Sequence, residues 1–174
     1  MPVVIVSYNP QWPVFHESET KLIRAVLGGK ILAIEHIGST AVPNLGGKNI
    51  VDIMAGVNSL EEAEQCLAPL ESIGYTEVIP QVDNADWYYC LEKSQQALGY
   101  HLHLVRFGSE HWKKHVIFRD FLRKHPKVAQ EYYALKKELA AKHGTNRLGY
   151  TEAKTAFIES VIAKAHQLLN NFHN

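Results

Sequence analysis

The chain has almost no cysteine, no excess of charge of either sign and no long apolar run, and each shortage closes off a class of protein. Two cysteines in 174 residues, Cys66 and Cys90, form neither a disulfide framework nor a zinc-type spacing, so apolar side chains have to build the core. Eighteen basic residues balance eighteen acidic ones and the pI is near 7.2, which argues against a cationic surface tracking an extended nucleic acid. A small anionic ligand stays open. No segment reads as a signal peptide or a membrane span, so the expected setting is a reducing cytoplasm without a membrane partner. No motif speaks to the oligomeric state.

What is present is a chain 46% hydrophobic and 21% charged, enough for one compact core. The expected organisation is a single domain over 1–174, with a mixed α/β core in 1–108 and C-terminal helices in 109–174. Val3 to Ser7 reads as a short strand, followed by a helix from about Pro10 to Leu27, with Asn9 as cap, Gly28 as stop and Phe15, Leu22 and Val26 as its inward stripe. Ile31 to Ile37 and Ile50 to Val57 read as strands. Ser59 and Glu62 form a capping-box pattern before a helix that Pro69 should bend or shorten and that Gly74 follows. Tyr75 to Ile79, Trp87 to Glu92 and Tyr100 to Phe107 are further strands, the last two as a hairpin. Ser109 to Lys124, Pro126 to His143 and Thr151 to Leu169 read as helices.

Chemistry concentrates between Glu35 and Met54. A Gly38-Ser39-Thr40 turn leaves the first apolar strand, where a missing side chain lets backbone amides approach a ligand. Asp52 then sits inside an apolar strand, and a buried carboxylate needs a cation, a metal or several donors as partner. The plainer reading makes the turn an ordinary loop and Asp52 a structural acceptor. Residues two apart on a strand share a face, so Asp52 goes with Met54, and His101 goes with His103. The side on which Glu35 falls is left open.

Basic residues mark where an anion would sit. Lys154 is expected in the first turn of a helix capped by Thr151, where a cation opposes the helix dipole and an anion would reverse that penalty. Lys48, just before the Asp52 strand, is within reach of a phosphate. Arg119 and Arg123 lie i,i+4 on one helical face and repel unless Asp120, another acid or a phosphate intervenes; solvated surface charge is the plainer account of them. Gly46-Gly47-Lys48 is not a P-loop, because Val42 stands where glycine is required and a strand follows. Ser39 near His36 lacks a nucleophile elbow, which argues against a serine hydrolase.

The separated segments YNPQWP from Tyr8, EHIGSTAVP from Glu35, KNIVDI from Lys48, HLHLV from His101, FRDFLRKHP from Phe118 and LGYTEAKTAF from Leu148 resemble, in this order, the GrpB family of nucleotidyltransferase-fold proteins. The resemblance implies an α+β fold: a nucleotidyltransferase-like mixed sheet with flanking helices and a C-terminal helical segment. It implies a Gly-Ser turn followed by an Asp-x-Asp strand, which Gly38-Ser39 and Asp52 match and Met54 does not. It also places the His101 strand beside the Asp52 strand, so that Asp52, His101 and His103 would form a two-histidine, one-carboxylate metal site, or else a simple hydrogen-bonded cluster. The expected activity is binding of a nucleotide or other phosphorylated small molecule with a divalent metal, magnesium, manganese or zinc, and transfer of a nucleotidyl group. Gly38, Ser39, Thr40, Lys48 and Lys154 would hold phosphate, with Arg119 and Arg123 as further anion contacts. Asp52, His101 and His103 would be catalytic. A non-catalytic ligand-binding or protein-interaction module is the alternative, and a metal-dependent hydrolase a third reading.

Overall fold

In a computed structural model describing residues 3–78 and 85–171, without the Arg147 side chain, five strands form one mixed sheet in the order β1-β2-β5-β4-β3. The strands are β1 (Ala33–Ile37), β2 (Ile50–Val57), β3 (Thr76–Glu77), β4 (Trp87–Gln95) and β5 (Leu98–Arg106); the helices are α1 (Trp12–Leu27), α2 (Leu60–Glu71), α3 (Glu110–Lys124), α4 (Pro126–His143) and α5 (Arg147–Asn171). β2 runs parallel to β5, and the other neighbouring pairs are antiparallel.

Local rules account for most boundaries. The β-branched run of β2 occupies the expected residues, and Pro126 and Gly144 bracket α4 as predicted. Ser59 Oγ accepts the Glu62 N–H at 3.3 Å, while the Glu62 carboxylate returns to the Asn58 N–H, one residue before the expected box partner. Pro69 lies near the end of α2, which stops two residues later.

Other expectations shift. Val3 to Ser7 yields a single bridge, Val6 to Gly47, instead of a strand, and a 3₁₀ turn over Gly28–Lys30 delays β1 to Ala33. The buried stripe of α1 is Trp12, Glu19, Ile23 and Leu27, so Leu22 faces solvent; Trp12 anchors the helix and Glu19 forms an internal ion pair with Lys93 at 2.8 Å. β3 is shorter than expected, and Ile79 lies outside the described residues. β4 and β5 extend to a tighter hairpin at Gln96 and Ala97, with Gln96 at φ 55°. α5 begins at Arg147, where Asn146 Oδ1 accepts the Gly149 N–H, so Thr151 is inside the helix and does not cap it.

α1 and α2 cover one sheet face over a core that includes Val51, Ile53, Leu102 and Leu104. On the opposite side, α3, α4 and α5 pack on one another and on Val42 and Leu45, leaving a cleft against the other face of β2.

Candidate functional site

The register of the sheet assembles the site. Asp52 pairs with Ile37 on one side and His101 on the other, and Met54 pairs with Glu35 and His103, so Glu35, Asp52, Met54, His101 and His103 share one face. His101 Nδ1 is 3.4 Å and His103 Nε2 is 3.8 Å from the same oxygen, Asp52 Oδ1. Behind the carboxylate lies Gly38, at φ 71°, where a Cβ would come within 2.7 Å of Asp52 Oδ2. Any side chain there would be both strained and in collision with the acid. The acid therefore requires glycine at this position of the turn.

Burial would raise the Asp52 carboxyl, but His101 and His103 outweigh it and hold the group far below the usual carboxylate range. Burial likewise opposes charge on His101, and Asp52 more than compensates, so its imidazole titrates above 6.5. A second charged group sits beside them. Lys48 and Lys154 place their ammonium groups 4.8 and 4.4 Å from the centre of the Tyr150 ring. Burial first, then the charge of Lys48, lowers Lys154 to about 8, with Asp52 opposing.

Gly38, Ser39, Asp52 and Lys154 line a cleft of about 670 Å³. Its farther walls are Phe118 and Tyr132 with Ile158, Ile162 and Ala163 of α5, and Lys114, His111, His115, Thr155, Glu159 and His166 complete the lining. The sheet end of the cleft is polar, and its helical walls mix apolar side chains with charged and polar ones from α3 and α5, a size and character suited to a small organic ligand.

Several residues singled out in the sequence stand elsewhere. Thr40 is buried with its hydroxyl 2.8 Å from His36 Nε2, away from the cleft lining. Arg119 is buried, not solvated: it binds Glu35, Asp120 at 2.8 Å and the His36 carbonyl at 3.0 Å. Arg123 donates to the Ala41 carbonyl at 2.8 Å and lies 3.7 Å from Asp120. The arginines' carbonyl partners, His36 and Ala41, flank the Gly-Ser turn. Asp120 is the acid that relieves their repulsion. Lys154 lies about two turns into α5, beyond the reach of the helix dipole argument. His101, His103 and Lys48 approach Asp52 or Tyr150 without joining the lining of the cleft. Sequence reasoning missed Lys136, whose ammonium is 2.7 Å from Ser39 Oγ, because a lysine in an amphipathic helix reads as solvent-facing.

The family model described as GrpB protein matches residues 2–164. The chain belongs to the GrpB family. The UPF0157 protein YqkA of Bacillus subtilis is 36% identical over 91% of this chain, which spans 46% of that relative's length. The crystal structure of conserved protein GrpB from Enterococcus faecalis covers 98% of the chain and is itself covered completely, with 30% identity and a TM-score of 0.83. A cytoplasmic RNA terminal U-transferase superposes over 75% of the chain and 41% of its own, with a TM-score of 0.55 at 8% identity. That likeness is one of fold, and this GrpB domain has the α+β nucleotidyltransferase-like architecture.

The fold implies a pair of divalent ions held by two carboxylates on the central strand. The donors of this GrpB chain do not fit that pair. Met54 holds the second position, fully buried against Ile37, Val105 and Trp112, and a thioether is too soft for magnesium. Glu35 does share the face, but it is taken by Arg119. The Nδ1 atom of His103 is buried without a partner, whereas a ligating imidazole normally donates its second N–H. Among the described residues, no group of three or more His, Cys, Asp or Glu side chains is arranged to hold a metal ion.

Proposed function

We propose that this GrpB chain binds a nucleotide or another phosphorylated small molecule, with phosphate at the Ser39 and Lys154 end of the cleft and an apolar or aromatic body against Phe118, Tyr132, Ile158 and Ile162. One observation carries the reading: a glycine-serine turn, a carboxylate and a half-buried lysine meet in one cleft whose lining also presents Phe118, Tyr132, Ile158 and Ile162. A lysine kept partly out of water lacks full hydration, so an anion gains more from it than from a surface lysine. The Ser39 hydroxyl adds a neutral donor. Asp52 keeps its charge at every physiological pH and orients His101 beside the turn.

Met54 favours binding without two-metal nucleotidyl transfer, because the position that would carry the second acid is closed to solvent. Titration calorimetry with ATP, with magnesium and with EDTA, tests the binding reading. Measurable affinity is expected in both, and Lys154→Met should weaken it about 10-fold to 100-fold, the worth of a charged hydrogen bond. Absence of binding, or an unaffected Lys154→Met variant, overturns it. Incubation with labelled ATP separates binding from transfer: label left covalently on an acceptor would reinstate the transferase.

A further inference from the structure

Beneath the polar end of the cleft lies a cation that no motif announced. Lys136, on α4, is 2% exposed and stands one layer behind Ser39, which itself lines the cleft. Its ammonium donates to Ser39 Oγ at 2.7 Å and to the Gly46 carbonyl, and lies 4.7 Å from the centre of the Tyr132 ring. Gly47 makes the approach feasible, since a Cβ there would sit 3.0 Å from Ser39 Cβ and 3.3 Å from Lys136 Nζ. Lysine and serine are 97 residues apart and are brought together by the packing of α4 on the turn.

We propose that Lys136 is a positioning residue that aims the Ser39 hydroxyl at a bound phosphate and takes up a proton from solvent as the anion enters. The proposal rests on the phosphate-binding reading of the cleft and deepens it. Its logic is the inventory of donors. As an ammonium, Lys136 gives hydrogens to Ser39 Oγ and Gly46 O, so the hydrogen of Ser39 is left to point into the cleft as a donor. As a neutral amine, it accepts that hydrogen instead, and Ser39 turns a lone pair toward the ligand. An anion binds the first arrangement and is repelled by the second.

The surroundings set the balance. Burial chiefly, and then Lys154 from α5, lower Lys136 to about 7, while Asp52 from β2 opposes them. Tyr132 on its own helix and Tyr150 on α5 are pushed up, Tyr150 to about 12, and stay neutral. A phosphate beyond Ser39 adds negative charge and draws the proton on. Linkage then makes binding tighten as pH falls through 8 toward 7.

Calorimetry with ATP at pH 8 in buffers of different ionisation enthalpy reads the proton count directly. The wild type should take up about half a proton to one proton per ATP, shared between Lys136 and Lys154. Lys136→Met should lose most of the Lys136 share and bind about 10-fold to 100-fold more weakly. Ser39→Ala should weaken binding similarly, and the double variant should be no weaker than either single one, as for two groups acting in series. No proton uptake by the wild type, or independent additive losses, would overturn the role of Lys136 while leaving phosphate binding intact. Failure of the wild type to bind ATP at all overturns both. If Lys136→Met does not fold, the proton count of Lys154→Met decides, since Lys136 is then the lysine left to take up a proton: uptake near zero in that variant overturns its role.

Discussion

The two faces of the same two strands teach most about this molecule. On the α1/α2 side, Val51, Ile53, Ala55, Leu102 and Leu104 are fully buried and form a continuous apolar layer. On the other side, the interleaved residues Asp52, His101 and His103 remain 30%, 36% and 14% exposed, and that face closes at Met54 and Val105. One alternating pattern therefore supplies both the stability and the chemistry. The apolar face holds the backbone rigid, and that rigidity fixes two imidazoles within 4 Å of the Asp52 carboxylate at the open end.

Breaking the closed part of the site face should have the largest effect. Met54→Asp places a carboxylate among Ile37, Val105 and Trp112 and should cost about 3–5 kcal/mol in urea unfolding without creating transferase activity. Wild-type stability in that variant would mean that position 54 belongs to the open half after all. The next contrast is across the sheet. Leu102→Ala should lose about 2–5 kcal/mol, whereas Asp52→Asn on the other face should stay within about 1 kcal/mol at pH 7. Equal losses would erase the division of labour between the faces.

The smallest effect sharpens the picture of the open end. Asp52→Asn should lower the titration midpoint of His101, read from its imidazole resonances, because Asp52 is what raises it. The sign for stability follows from both partners. The raised histidine stabilises below its ordinary 6.5 and loses this as pH rises through the higher folded value. The depressed carboxyl stabilises above its ordinary 3.8 and loses this as pH falls toward the lower folded value. The stability deficit of Asp52→Asn should thus be greatest between about pH 4 and 6.5 and shrink above it. A deficit growing toward pH 9 would contradict the pairing.

Much of this was legible in the chain. β2 and α4 begin and end where the β-branched run and the Pro-Gly punctuation put them, and of the residues singled out for the site, Gly38, Ser39, Asp52 and Lys154 line one cleft while Thr40, Lys48, His101 and His103 stand outside its lining. Lys154 was singled out for a reason that does not hold, since α5 starts earlier than Thr151 and the dipole at its start acts elsewhere. Arg119 and Arg123 looked like anion contacts because i,i+4 spacing shows their proximity to each other and to Asp120 but hides Glu35 and the carbonyls of His36 and Ala41, more than eighty residues back.

Sequence alone determined most of the elements, the alternation that segregates Asp52 from its apolar neighbours, and the family, because these depend on periodicities and motifs a few residues long. Tertiary structure decided which cation stands behind Ser39, which acid is neutralised by an arginine and which strand end stays open. Those outcomes depend on pairs such as Ser39 and Lys136, 97 residues apart, whose meeting is set by how helices stack on the sheet and leaves no local trace in the chain.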